Sequence, residues 1–190
     1  GRDSWKQKHG FSLTYLPFIG NAVCRALEDF PNLNASVHGD SLVLHPNVNL
    51  AIAVDLGAEG LVAPVIKAAE KLTVGQLADA ISELARRSRA GKLKADDFAG
   101  GTYTLSNSGT FGTLITAPII NQPQVAILST DGVRKKPVVI ETSEGDSIGI
   151  RPVGVLAQSF DHRAVDGAYS AAFLDRVRKI IETSNWFIEV

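Results

Sequence analysis

The residues with the clearest chemical reach lie in two short segments. The first is Ser159-Phe160-Asp161-His162-Arg163-Ala164-Val165-Asp166-Gly167. Histidine is the side chain whose free pKa lies nearest physiological pH, which makes His162 the candidate general base. Asp166 follows four residues later, where a helix should start, and suits its N-cap. It could order the turn or pair with an Arg, and so fix the imidazole indirectly. On spacing alone, a partly buried histidine in a capped turn fits equally well. The second segment runs Gly100-Gly101-Thr102-Tyr103-Thr104-Leu105-Ser106-Asn107-Ser108-Gly109-Thr110-Phe111-Gly112. It reads as a strand entering a loop of small, hydroxyl-bearing residues, where donors can approach a ligand closely. It is not a phosphate loop, because no Gly-Lys-Ser/Thr follows. It is not a G-x-S-x-G nucleophile elbow either. Alone, it is equally an ordinary strand and turn.

Other candidates fall away. His9, His38 and His45 lie at no metal-ligand spacing with a carboxylate or thiol, so no metal site is expected. Cys24 is the only cysteine, which rules out an internal disulfide framework. It reads as a small core residue beside an apolar helix face. The 190 residues carry 19 Lys and Arg against 20 Asp and Glu, a net charge of −1 that gives no footprint for nucleic acid. Hydrophobic residues make up 45% and charged residues 21%, enough apolar content for a packed core. No stretch approaches the ~18 uninterrupted apolar residues of a membrane span. The sequence starts at Gly1 and has no Met, which suggests a piece cut from a longer chain.

The elements that must position these residues can be sketched. Gly1 to Gly10 is polar and reads as a frayed end or connecting loop. A helix is expected over Thr14 to Asp29, with Leu16, Ile19, Val23, Leu27 and Phe30 on one face and Pro31 as its stop. Ser36–Val37 and Leu42–Leu44 should form a hairpin around Gly39-Asp40. Val48 to Leu56 and Leu61 to Ile66 read as strands. Thr73 and Gln76 have capping-box spacing, and the helix they open buries Leu77, Ile81, Leu84 and Ala85. Arg86, Arg87 and Arg89 fit its solvated end, and Gly91 its C-terminal cap. Strands are expected at Thr102–Leu105, Gln124–Leu128, Pro137–Glu141 and Ser147–Gln158. The last helix should follow Asp166 and bury Ala168, Ala172, Phe173, Val177 and Ile180 or Ile181. The pattern implies one α+β domain, a mixed sheet with helices packed mainly on one face.

Taken together, the two segments resemble the signatures of dihydrolipoamide acyltransferases, the core components of 2-oxo acid dehydrogenase complexes. The His-x-x-x-Asp-Gly pattern of His162, Asp166 and Gly167 is similar to that family's active-site motif. Gly100 to Asn107 and Thr116 to Leu128 look like two more of its signatures. Leu33-Asn34-Ala35, Val48-Asn49-Leu50, Gly60 to Val65 and Ala90 to Leu93 extend the resemblance over nearly the whole chain. It implies a chloramphenicol-acetyltransferase-like fold. It implies acyl transfer between dihydrolipoamide and coenzyme A, with His162 as base, Ser106 as oxyanion donor and Asp166 as an orienting carboxylate, and no acyl-enzyme. Asn107, Thr116 and Ala117 fall at substrate-binding positions. The lipoyl group would arrive on a separate domain.

The resemblance further implies a homotrimer in which His162 of one subunit faces Ser106 of the next. Such trimers would build a core of 24 or 60 subunits served by decarboxylase and dihydrolipoamide dehydrogenase components. The apolar tail of Trp186, Phe187, Ile188 and Val190 is expected to form contacts between trimers. The family's N-terminal strand and helix, which supply an Arg near the Asp, are expected to be missing, as are lipoyl and subunit-binding modules. Two alternatives stand beside this reading: a catalytically incomplete scaffold, or an O-acetyltransferase of the chloramphenicol type. The lone Cys24 fits a reducing interior, with a bacterial cytoplasm expected ahead of a mitochondrial matrix.

Overall fold

A computed structural model describes residues 2–186 and 188. The polar start is not a loop. It forms α1 (Arg2–His9), anchored by a single apolar side chain. Trp5 is buried, with its ring edge in the notch left by Gly75. His9 stacks on that ring at 3.7 Å, and its Nδ1 lies 2.9 Å from Asp79 Oδ1. One indole does what a periodic stripe would normally do, so the apolar pattern is invisible.

α2 (Leu16–Asp29) begins with Pro17 in its first turn, where a missing N–H costs nothing. Its inner face carries Ile19, Val23 and Leu27, with Cys24 buried beside them. β1 (Ala35–His38) and β2 (Ser41–Leu44) form the expected hairpin, turned by Gly39 at φ +57°. Then come β3 (Leu50–Ile52), β4 (Val54–Asp55), β5 (Leu61–Val62) and β6 (Val65–Ile66). α3 (Val74–Arg89) opens on a complete capping box: Gln76 N donates to Thr73 Oγ1, and Thr73 N donates to Gln76 Oε1. β7 (Tyr103–Asn107) and β8 (Ala126–Thr130) are central strands. The single strand expected over Ser147–Gln158 is two. β10 (Ser147–Val153) pairs with β9 (Arg134–Ile140) in a separate ribbon, and β11 (Leu156–Phe160) joins the main sheet. The break falls where Gly154 lies so close to Val133 that a side chain would crowd it, and Pro152 has no N–H for a ladder.

The main sheet runs β11-β8-β7-β3-β6. β7 is parallel to both neighbours, and the outer strands are antiparallel. Register partners share a face, so the two faces can be read off directly. Leu50, Tyr103, Leu105, Leu128 and Gln158 look toward the helices. Ala51, Thr104, Ser106, Ile127, Ser129 and Ala157 look the other way, a face of small and hydroxyl-bearing residues. α4 (Gly167–Thr183) packs on α2 and buries Ser170, Phe173, Val177 and Ile180. Ala168 and Ala172 are exposed, contrary to the sequence reading. Phe173 sets the phase, wedged between Tyr103 and Phe30, and both alanines fall off its stripe. Trp186 packs edge-on against Phe18 and donates to Ile181 O, so it belongs to its own domain. Phe187 and Val190 lie outside the described residues.

Candidate active site

The turn after β11 presents His162. Asp161 N donates to Val125 O, holding the start of the turn against the sheet. Arg163 then wraps back on Asp161: its backbone N, Nε and Nη2 all donate to that carboxylate. These bonds hold the Asp161 carboxyl below the usual carboxylate range. Asp166 caps α4 by accepting from Tyr169 N at 2.8 Å. Among the described residues no cation pairs with it. His162 therefore stands exposed on a turn stapled at one end by Asp161–Arg163 and at the other by the Asp166 cap. Its ring lies 5.6 Å from that of Phe160. The Asp161–Arg163 staple was missed in the sequence, although a carboxylate and guanidinium flanking a histidine were the signal.

Ser106 and Asn107 end β7. Ser106 is half-buried on the hydroxyl face. Asn107 is on the helix side, where its Oδ1 accepts from Gly109 N at 3.0 Å. The following loop is tied to Asp131, which is buried just beyond β8. Asp131 accepts from the hydroxyls of Thr113 and Thr116 and from Thr116 N. The Thr116 hydroxyl is thus engaged within the chain, while Ala117 is exposed. Nothing in the sequence reading pointed to Asp131. A carboxylate directly after a buried apolar strand was the available clue. A cleft of about 260 Å³ opens beside this loop, between Tyr15 and Ile19 of the α2 region and Asn107, Asp131 and Arg134. A larger cavity of about 480 Å³ lies at the opposite end of β7, among His38, His45 and Gln124, away from Ser106.

The two candidate centres do not meet within one chain. Ser106 is level with Ser129 on β8, and Ser129 is level with Ala157 on β11. His162 comes five residues after Ala157, in the turn that follows a strand running opposite to β7. At about 3.3 Å per residue and 4.8 Å per strand, the Cα atoms are roughly 15 Å or more apart. The side chains together span less than half of that.

Likeness to known proteins places the fold and the family. A solved chloramphenicol acetyltransferase superposes with a TM-score of 0.53 at 13% identity over 95% of this chain and 83% of its own. That likeness concerns the fold alone, and it makes this an α+β domain of the chloramphenicol-acetyltransferase-like class. Within that class the chain belongs to the family of 2-oxoacid dehydrogenases acyltransferase catalytic domains, whose model matches residues 2–188. A dihydrolipoyllysine-residue acetyltransferase component of the pyruvate dehydrogenase complex from Corynebacterium glutamicum is 46% identical over 95% of this chain and 27% of its own length. A lipoamide acyltransferase component of the branched-chain alpha-keto acid dehydrogenase complex from Bacillus subtilis is 41% identical over 96% of this chain and 42% of its length. The chain thus spans less than half of these relatives. A probable dihydrolipoamide acetyltransferase from Listeria monocytogenes superposes with a TM-score of 0.91 at 39% identity, covering 99% of this chain and 80% of the other.

Proposed function

We propose that the chain transfers an acyl group between dihydrolipoamide and coenzyme A, at sites shared between neighbouring copies. The observation that carries the reading is the pairing of a rigidly presented His162 with a half-buried Ser106 that it cannot reach in its own subunit. A free thiol has a pKa near 8.5, so little thiolate exists at neutral pH. His162 takes the proton from the coenzyme A thiol, and the sulfur attacks the thioester carbonyl of acyl-dihydrolipoamide. The carbonyl oxygen becomes an oxyanion that accepts a hydrogen bond from Ser106 of the adjoining subunit. Collapse expels the dihydrolipoamide sulfur, which regains a proton from the imidazolium, and no acyl-enzyme forms. Asp166 contributes by holding the start of α4 and hence the turn. Asn107, Thr116 and Ala117 line the substrate approach, with the Thr116 hydroxyl and N–H both held by Asp131.

Support comes from a 32%-identical structure of an Azotobacter vinelandii dihydrolipoamide acetyltransferase, in which a serine, a histidine and an asparagine four positions after that histidine have been investigated for their role in the catalytic mechanism. Asp166 stands four positions after His162 here. A further neighbour at 33% identity forms the cubic core of a pyruvate dehydrogenase multienzyme complex. That neighbour supports a large multimeric core, and the working unit proposed from the family resemblance is a trimer within a core of 24 or 60 copies. It is served by a lipoyl group on a separate domain and by decarboxylase and dihydrolipoamide dehydrogenase components.

Acetyl-, succinyl- and isobutyryl-CoA with free dihydrolipoamide test the reading and rank the acyl groups. His162→Ala should cost about 10²–10⁴-fold in kcat. An unchanged rate would remove His162 as the base.

A further inference from the structure

Ser129 has no role in the account above, yet it holds an unusual position. It is the register partner of Ser106 across the parallel β7–β8 pair. Their side chains therefore leave the sheet on the same face, about 4.8 Å apart at the strand level. On its other side Ser129 faces Ala157, which is small. Ser129 is wholly buried, and its Oγ has no hydrogen-bond partner among the described residues. A buried, unpaired hydroxyl lowers stability, and such groups in native proteins call for an explanation. Ala would fit this site without that penalty. The orphan hydroxyl lies next to the one side chain that must stabilise an oxyanion.

We infer that Ser129 is a positioning residue that supports Ser106 during acyl transfer. The inference rests on the reading of Ser106 as the oxyanion donor. A serine hydroxyl has one donor and two acceptor sites. When Ser106 turns its single O–H toward the oxyanion, its lone pairs are left facing the sheet. Rotation of Ser129 about χ1 brings its O–H to those lone pairs. A chain then forms from Ser129 O–H to Ser106 Oγ, and from Ser106 O–H to the oxyanion. Hydrogen bonds in such a chain polarise one another, most strongly where water is excluded. Catalytic hydrogen bonds commonly tighten only as the transition state forms, which accounts for a hydroxyl unpaired at rest. Ser129 touches neither substrate nor reacting atoms in this scheme and acts only through Ser106.

A double-mutant cycle tests it in the full assembly, with free dihydrolipoamide and the best of the three acyl-CoA substrates. Ser129→Ala should lower kcat about 3- to 10-fold, the value of one hydrogen bond, with both KM values unchanged. Its melting temperature should be unchanged or higher, because the orphan hydroxyl is gone. In a Ser106→Ala background the same substitution should change kcat by less than about 1.5-fold, since coupled sites lose additivity. Unchanged kcat in Ser129→Ala, equal losses in both backgrounds, or a fall in melting temperature alongside the rate loss would overturn the inference. If Ser106→Ala itself leaves kcat intact, or the unaltered protein turns over none of the substrates, the reading of Ser106 fails and takes this inference with it.

Discussion

Two inactive variants should rescue each other, because Ser106 and His162 sit at opposite ends of one sheet. The register sets them roughly 15 Å or more apart within a chain, at the ends of strands running in opposite directions. General-base and oxyanion chemistry both need contacts near 3 Å, so the proposed roles require each site to draw on two copies. His162→Ala alone should fall about 10²–10⁴-fold and Ser106→Ala about 10²–10³-fold. Mixed one to one and allowed to exchange, they give intact sites wherever a Ser-bearing copy meets a His-bearing neighbour. Random mixing makes that about one site in four, for a ring or for a two-fold pair. Two preparations with at most about 1% activity should thus combine to about 25% of the unaltered rate. A companion mixture makes the test sharper. A chain carrying both substitutions, mixed equally with unaltered chain, leaves about a quarter of shared sites intact but about half of sites built within one chain. The assay is acyl-CoA-dependent acylation of free dihydrolipoamide, after co-refolding or co-expression with two tags. A first mixture that stays at the parental rates, with a second at one half, would refute the argument from register.

Three further outcomes are expected. Asp131→Ala leaves the Thr116 hydroxyl and N–H without their acceptor and the Thr113 hydroxyl with Ser108 O alone, so it should lower stability by ~2 kcal/mol or more and depress kcat through the Ser106 loop; urea melts and kinetics check both, and a silent substitution would mean the tether is dispensable. Trp5→Ala empties the notch between α1 and α3 and should cost about 3–5 kcal/mol by denaturant melting, whereas a peripheral helix would give well under about 1 kcal/mol. Burial pushes the Cys24 thiol from 9.0 up to about 12, so it should resist thiol reagents in the native protein. Its folded-state value is raised, so its contribution is intact below pH 9 and is lost between pH 9 and about 12, as the unfolded chain ionises a thiol that the folded one keeps protonated. Urea melts of Cys24→Ala at intervals across that window should show a shallower alkaline decline, and an identical decline would count against the burial argument.

Elements whose signal is local were legible in the sequence. The Thr73–Gln76 box, the Gly39 turn, the α2 stripe and the Asp166 cap each depend on residues within a few positions of one another. Elements whose signal is a single long-range contact were not. α1 exists because Trp5 finds a notch at Gly75, seventy residues away, and nothing in a polar decapeptide announces that partner. The split of Ser147–Gln158 depends on Val133 crowding Gly154, which again lies outside the segment. Ala168 and Ala172 were placed inward because small apolar residues fit any helix face, and only the fixed phase of Phe173 decides between faces.

The site divides along the same line. Residue types marked Ser106, His162 and Asp166 as candidates, since a His between an apolar strand and a helix start, and a hydroxyl-rich strand end, are local patterns. Their separation is a property of strand direction, which spacing cannot carry. Had β11 run parallel to β8, His162 would lie at the Ser106 end of the sheet and one chain could close the site. Because it runs antiparallel, the same residues in their proposed roles need a neighbour. The supporting residues were hidden for a related reason. Asp131, Ser129 and Arg163 matter for what they face across the sheet or turn, and a strand interior such as Ile127-Leu128-Ser129 gives no sign of its cross-strand partner. The proposal of a shared site therefore hangs on one antiparallel edge strand, and exchange between copies is where that strand's direction becomes measurable.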